Sequence, residues 1–220
     1  MAGLHPRIVD LPEEFPVFPL PGALLLPRGK LPLNIFEPRY LAMTEDALGA
    51  GRLFGMIQPD PSHRDGPNGP ALYKVGCLGR LSSFSETDDG RYLIQLTGVA
   101  RFAIAREVEM LRGYRRVQGD FSAYRLDLEM ADPAAGVDRD ALLAALKPYF
   151  TRAGIDANWD SIRRIPDALL TVTLAMVCPF DPVEKQALLE APTDADRAAT
   201  LLALLRMGAT GPDDGGRRPS

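Results

Sequence analysis

Residues 77–104 read CLGRLSSFSETDDGRYLIQLTGVARFAI, and the fold turns on this stretch. In its second half Tyr92, Ile94 and Leu96 alternate with Arg91, Gln95 and Thr97, and Phe102 and Ile104 continue the period against Arg101. A period of two marks a strand with one buried and one solvated face. Between two such runs lies Glu86-Thr87-Asp88-Asp89-Gly90, where Asp-Gly suits the positive φ values of a tight hairpin. Residues 77–85 and 91–98 are therefore predicted to pair antiparallel, with Gly98 breaking the chain before Arg101.

Outward from the hairpin, further strands are predicted at residues 17–20, 31–35, 53–57 and 114–121. Pro16, Pro19, Pro21, Pro27 and Pro32 confine the early ones to edges, ends or bulges, because proline donates no ladder hydrogen bond. A helix opens at Pro38, puts Tyr40, Leu41, Thr44 and Leu48 on one face and closes at Gly49. The Pro/Gly-rich run 58–70 reads as an exposed loop.

Near residues 129–136 the composition turns to Ala and Leu. Asp138 caps a helix carrying Leu142, Leu143 and Leu146, which Pro148 should end or bend. A short piece at 159–164 follows, and Pro166 and Asp167 open an apolar helix through Met176. Asp181, Pro182 and Glu184 start another, as do Thr193 and Asp194. The expected class is α+β: an antiparallel β-domain over 11–130, a helical bundle over 138–207, and a disordered tail over 208–220 that is poor in apolar side chains.

With 220 residues, 46% of them hydrophobic and 25% charged, one or two packed units are expected. A net charge of −4 supplies no global attraction for a phosphate backbone or an anionic membrane, so nucleic acid is a poor candidate partner and a membrane is not expected. Cys77 and Cys178 stand far apart without a CxxC, and no stretch reaches the ~18 apolar residues of a membrane span; a reduced, cytoplasmic setting is the expectation.

Catalytic chemistry finds no foothold. Gly22, Gly29 and Lys30 are too widely spaced for a phosphate loop, and Leu31 stands where a magnesium-holding hydroxyl belongs. His5 and His63 lie near a terminus and in the Pro/Gly loop, Asp88 and Asp89 form a hairpin tip, and no Ser is paired by spacing with one of the four lysines. No catalytic residue, metal or cofactor is expected.

Four ordered blocks carry a family resemblance. FPVFPLPGALLLPRGKLPLNIFEPRY (15–40), LYKVGCLGRL (72–81), DGRYLIQLTGVARFAI (89–104) and DPVEKQALLEAPTDADR (181–197) together resemble the amino-terminal, substrate-binding domain of the Lon protease family. The resemblance implies a PUA-like, partly closed β-barrel followed by helices. It also implies a free-standing Lon substrate-binding-domain protein without the ATPase and peptidase parts, so not an enzyme. Its expected work is to bind unfolded or extended protein segments as a proteolysis-linked adaptor, with a full-length Lon-type protease as a further partner. PUA-like folds elsewhere bind RNA, which makes RNA binding the rival reading.

Within the matched blocks, Phe36, Glu37, Pro38, Arg39 and Tyr40 form a motif read structurally, as an ion pair and an aromatic ring locking the helix onto the sheet. Tyr73, Arg80, Arg101 and Tyr40 are the candidate peptide contacts, at a concave boundary between the two domains. Arg80 and Arg101 are taken as exposed and able to grip carbonyls or acidic side chains.

Overall fold

The computed structural model describes residues 10–129 and 138–210. The expected domain junction at 130–137 and the tail from 211 lie outside these residues. Six strands are assigned: β1 (Glu14–Pro19), β2 (Lys30–Ile35), β3 (Leu53–Ile57), β4 (Val75–Glu86), β5 (Tyr92–Leu111) and β6 (Tyr114–Asp120). Helix α1 (Pro38–Gly49) interrupts them, and a 3₁₀ segment, Ser122–Leu128, follows them. Then come α2 (Arg139–Ala153), α3 (Trp159–Arg163), α4 (Asp167–Val177), α5 (Pro182–Glu190) and α6 (Asp194–Thr210). The positions 208–210 expected in the tail are thus the last turn of α6.

The strand order is β2-β5-β4-β3-β1-β6, with β5 also pairing β6. The sheet therefore returns on itself through the long β5, while β2 stays outside the closure, which makes the barrel partial. The sheet is mixed, not purely antiparallel: β1 runs parallel to β3, in register Val17↔Gly55. A parallel pair needs a crossover longer than a hairpin turn, and β2 with α1 supplies it.

The hairpin of β4 and β5 forms as the alternation predicts, in register Phe84↔Ile94 and Leu81↔Leu96. Gly98 does not break the strand. A Cβ there would collide with the Leu26 carbonyl oxygen, so the glycine marks a close passage of the 20–29 connection over β5, which runs on for 20 residues. Inside the barrel Phe15, Phe102 and Phe121 pack with Val17, Ile57, Leu78 and Val117, and the Phe15 and Phe102 rings meet edge-on at 4.9 Å.

By compactness the chain falls into two units, Met1–Asp132 with Val172–Glu190, and Pro133–Thr171 with Ala191–Ser220. The sequence expectation assigned all later helices to one bundle, whereas the end of α4 and all of α5 group with the sheet. The reason is local bonding. Lys185 Nζ donates to Gly22 O (2.6 Å) and Gln186 Nε2 to Val75 O (3.1 Å), and a Cβ on Gly29 would strike Met176 and Val172.

In the other unit α2 begins as expected, with Ala141 N donating to Asp138 Oδ1 at 2.9 Å. It continues through Pro148, which lies exposed, and ends at Gly154, whose φ of 65° sets the left-handed cap. α6 starts with a reciprocal cap in which Asp196 N donates to Thr193 Oγ1 and Thr193 N to Asp196 Oδ2. Among the described residues no helix is long and apolar enough to cross a membrane.

Candidate functional site

Strand β2 has a sheet partner on one side only: it pairs β5 from Lys30↔Thr97 to Ile35↔Tyr92, and among the described residues no strand pairs its other side. An open edge presents backbone donors and acceptors to any extended chain. Leu31 and Leu33 are half-buried and Ile35 is buried on one face, while Lys30, Pro32 and Asn34 are exposed on the other. Pro32 interrupts the row of donors, as an edge position tolerates.

Exposed aromatic rings lie at the end of this edge and two strands in from it. Phe36, directly after β2, is 61% exposed, with the Arg91 guanidinium 5.9 Å from its ring. Phe84 is 39% exposed and its ring lies 4.9 Å from that of Tyr92. Tyr92 OH donates to Glu45 Oε1 of α1 at 3.1 Å; burial first and this bond second push its pKa up, so it stays a neutral donor. Backbone pairing flanked by aromatic contact is the chemistry of strand addition to an extended peptide.

The four expected contact residues have different fates. Tyr40 is buried, its ring 4.1 Å from Phe18, with the Arg39 guanidinium 4.6 Å above it. Burial raises its pKa. Arg39 Nη2 meets Glu37 Oε2 at 2.8 Å, but both are exposed and the pair spans two residues of one turn, so the Tyr40 ring and not the ion pair reaches the sheet. Tyr73 is half-buried, donates its N–H to Gln58 O (3.0 Å), and has a pKa raised by burial and by Asp60 and Glu190. Arg80 is exposed on β4 opposite Thr97, as expected.

Arg101 corrects the expectation of a solvated strand face: it is 4% exposed. Its Nε and Nη2 donate to the two oxygens of Asp127 (2.9 and 2.8 Å), Nη1 donates to Leu189 O (3.2 Å), and its guanidinium lies 4.7 Å over Tyr124. Burial opposes the charge, yet the Asp127 bonds outweigh it and hold the pKa above the ordinary arginine value. The 3₁₀ segment carrying Asp127 and Tyr124, unrecognised in the sequence, covers this face together with α5. Glu190 at the end of α5 acts on both Tyr73 and Tyr124. The structure thus brings Tyr73 and Arg101 near one helix end and leaves Tyr40 and Arg80 elsewhere.

Asp60, Ser62 and His63 match a hydrolase triad in residue type but not in geometry. Ser62 Oγ donates to Asp60 Oδ1 (2.6 Å), and His63 Nδ1 meets both Ser62 Oγ (3.0 Å) and Asp60 Oδ2 (2.8 Å), so no imidazole stands between hydroxyl and carboxylate. The cluster braces a turn. Cys77 and Cys178 are buried free thiols, and burial pushes Cys178 up to about 12. Among the described residues no group of three His, Cys, Asp or Glu is placed to hold a metal. A concavity of about 270 Å³ beside α1 has its charges paired, Glu14 to Arg116 and Asp46 to Arg112.

Residues 14–207 match the family model for the ATP-dependent protease La (LON) substrate-binding domain. Among curated proteins, the chain is similar to Lon protease 2 of Sorangium cellulosum, 31% identical over 93 residues that cover 42% of this chain and 12% of that protein. It is also similar to the Lon protease of Syntrophus aciditrophicus, 27% identical over 151 residues covering 66% and 18% respectively. The matched part thus spans less than a fifth of these relatives' length. Two solved structures share the fold, each at a TM-score of 0.59. The Lon N-terminal domain protein from Xanthomonas campestris is 21% identical, with 86% of this chain and 97% of that one covered. The N-terminal domain of the Mycobacterium avium complex Lon protease is 14% identical, with 87% and 97% covered.

Proposed function

The chain belongs to the ATP-dependent protease La (LON) substrate-binding domain family, and from that membership we propose that it binds unfolded or extended protein segments along the edge of β2 without transforming them. The observation that supports the reading is the open β2 edge beside the exposed ring of Phe36, with the exposed ring of Phe84 two strands in on the same sheet. An extended chain laid there continues the sheet with backbone hydrogen bonds and places alternate side chains against the aromatic surface. Tyr73, Arg80, Arg101 and Tyr40 enter this reading unequally. Arg80 faces solvent and is free to meet a ligand; Tyr73 is half-open; Arg101, held by Asp127 and Leu189 O, and Tyr40, packed on Phe18, are buried away from it. In the cell the module acts as a proteolysis-linked adaptor, with a full-length Lon-type protease as the partner that receives the segment; the Lon proteases among its relatives are the ground for that step.

The test is fluorescence anisotropy with dye-labelled casein, coupled to hydrogen exchange. Saturable binding with new amide protection at residues 30–35 is expected, and Phe36→Ser with Phe84→Ser should weaken it several-fold at an unchanged melting temperature. Absence of binding, or protection confined to other strands, overturns the reading. RNA binding would instead show the steep salt dependence of phosphate neutralisation.

A further inference from the structure

On the face of the sheet that further along β4 carries Leu78 into the barrel, and that here is open to solvent, Lys30, Thr97 and Arg80 stand in one cross-strand row, because Lys30 pairs Thr97 across β2–β5 and Arg80 pairs Thr97 across β4–β5. Their side chains share the face of exposed Pro32 and Asn34, opposite to buried Ile94 and Leu96. Two cations therefore flank a threonine at a separation of roughly 10 Å, twice the usual interstrand spacing. Neither Lys30 nor Arg80 has an ion-pair partner among the described residues. The carboxylates at the turn of the same hairpin, Glu86, Asp88 and Asp89, belong to its far tip, where Asp89 is held by Arg91 at 2.8 Å. The side chains between them are neutral, Thr97 Oγ1 donating to Ser82 Oγ (3.0 Å) and Ser82 Oγ to Gln95 O (3.1 Å), and exposed Arg52, next to the Leu53 that pairs Arg80, adds charge of the same sign. In a chain of net charge −4 this is a local positive field beside an open strand edge.

We propose that this row selects acidic extended protein segments, the residues of the bound strand that face outward beside Lys30 being Asp or Glu. The proposal rests on the β2-edge reading and adds its sequence preference. A strand added to β2 directs alternate residues to this solvent-open face, where the residue next to Lys30 is a direct cross-strand neighbour. A carboxylate there gains an ion pair and the longer-range field of Arg80, whereas a lysine there meets like charge. The remaining positions face Leu31, Leu33 and the aromatic surface and want apolar side chains. The pattern is apolar alternating with acidic. A lysine and a proline on an edge also discourage pairing with copies of the same chain, and a charge that repels one class of strand admits the complementary class.

The experiment uses the full chain and three dye-labelled decapeptides, identical in their alternating valines but carrying Glu, Ser or Lys between them, with an oligouridylate of equal length as a fourth probe. The Glu peptide is expected to bind about three- to tenfold more tightly than the Ser peptide, the size of one or two exposed charge pairs. The Lys peptide should be weakest, and the preference should vanish in high salt. Lys30→Glu combined with Arg80→Glu should reverse the order of the Glu and Lys peptides, and Lys30→Gln should abolish the preference with the fold unchanged by circular dichroism. Equal binding of the Glu and Ser peptides overturns the charge preference while leaving the edge reading intact. If no peptide binds, the edge reading itself fails. If the oligouridylate binds more tightly than the Glu peptide and loses affinity in the same variants, the row is a nucleic-acid site and the proposal is overturned.

Discussion

Replacing Arg101 by Ala leaves the Asp127 carboxylate, only 8% exposed, without the guanidinium that satisfies both its oxygens. Breaking a buried pair in this way costs about 3–5 kcal/mol, so R101A should shift the denaturant midpoint strongly, whereas R80A, at an exposed position, should stay within about 0.5 kcal/mol. Equal effects of the two in urea titrations would contradict the burial of Arg101. Periodicity placed Arg101 on the face opposite Phe102 correctly, but what covers that face was not legible, because Asp127 and Tyr124 sit in an irregular 3₁₀ segment without a repeating pattern. A second residue-scale outcome concerns alkali. Tyr114, pushed up to about 12 by burial and by its bond to Asp46, keeps its proton in the folded protein above the pH at which the unfolded chain loses it. Its contribution is therefore complete below about pH 10 and is lost as pH rises toward 12. Y114F should flatten the fall in stability between pH 10 and 12, measured by urea unfolding at fixed pH.

Among the elements, β5 was the clearest in sequence and the most instructive in error. Tyr92, Ile94, Leu96 and Phe102 gave its period, yet Gly98 signals chain contact and not a strand end. G98A should accordingly destabilise by about 1–3 kcal/mol, since the added methyl must push back the Leu26 carbonyl in a packed interior. A neutral G98A in thermal unfolding would refute the close passage. The caps of α2, α5 and α6 were readable because Asp138, Glu184 and Thr193 act within four residues of themselves; Asp181 N indeed donates to Glu184 Oε2 at 2.9 Å. The hold of α5 on the sheet was not readable. Gln186 meets Gln58 across 128 residues of sequence, and a lone glutamine carries no mark of its distant partner. Q186L should cost about 1–3 kcal/mol, by leaving Val75 O and Gln58 Nε2 short of partners, and should speed amide exchange in Pro182–Glu190.

For the whole molecule, the family blocks and the composition change conveyed a β part followed by helices. They did not convey that the sheet-bearing unit takes back Val172–Glu190 after the chain has left it. A fragment ending at residue 129 therefore lacks Leu189 O for Arg101, Pro182 O for Gln58 and Lys185 for Gly22 O. Such a fragment should show poor amide dispersion in proton NMR spectra, where one that retains residues up to 190 should not; well-resolved spectra of the shorter piece would argue that the strands are self-sufficient. The candidate surface divides in the same way. Phe36, Arg80 and the β2 run stood in the matched blocks, but which strand remains unpaired is a property of topology and emerges only when β5 closes onto β6.

That closure also limits how many ligands the sheet accepts. Among the described residues a strand order that returns on itself leaves β2 as the strand without a partner along one whole side, while β4 lacks a β3 partner only past Leu81, toward the hairpin tip. Through β2 the protein is therefore monovalent toward extended chains: titration of that edge should saturate at one segment per copy. Two copies joined through β2 would consume each other's β2 edge, so assembly by this edge terminates at a pair and does not propagate into filaments.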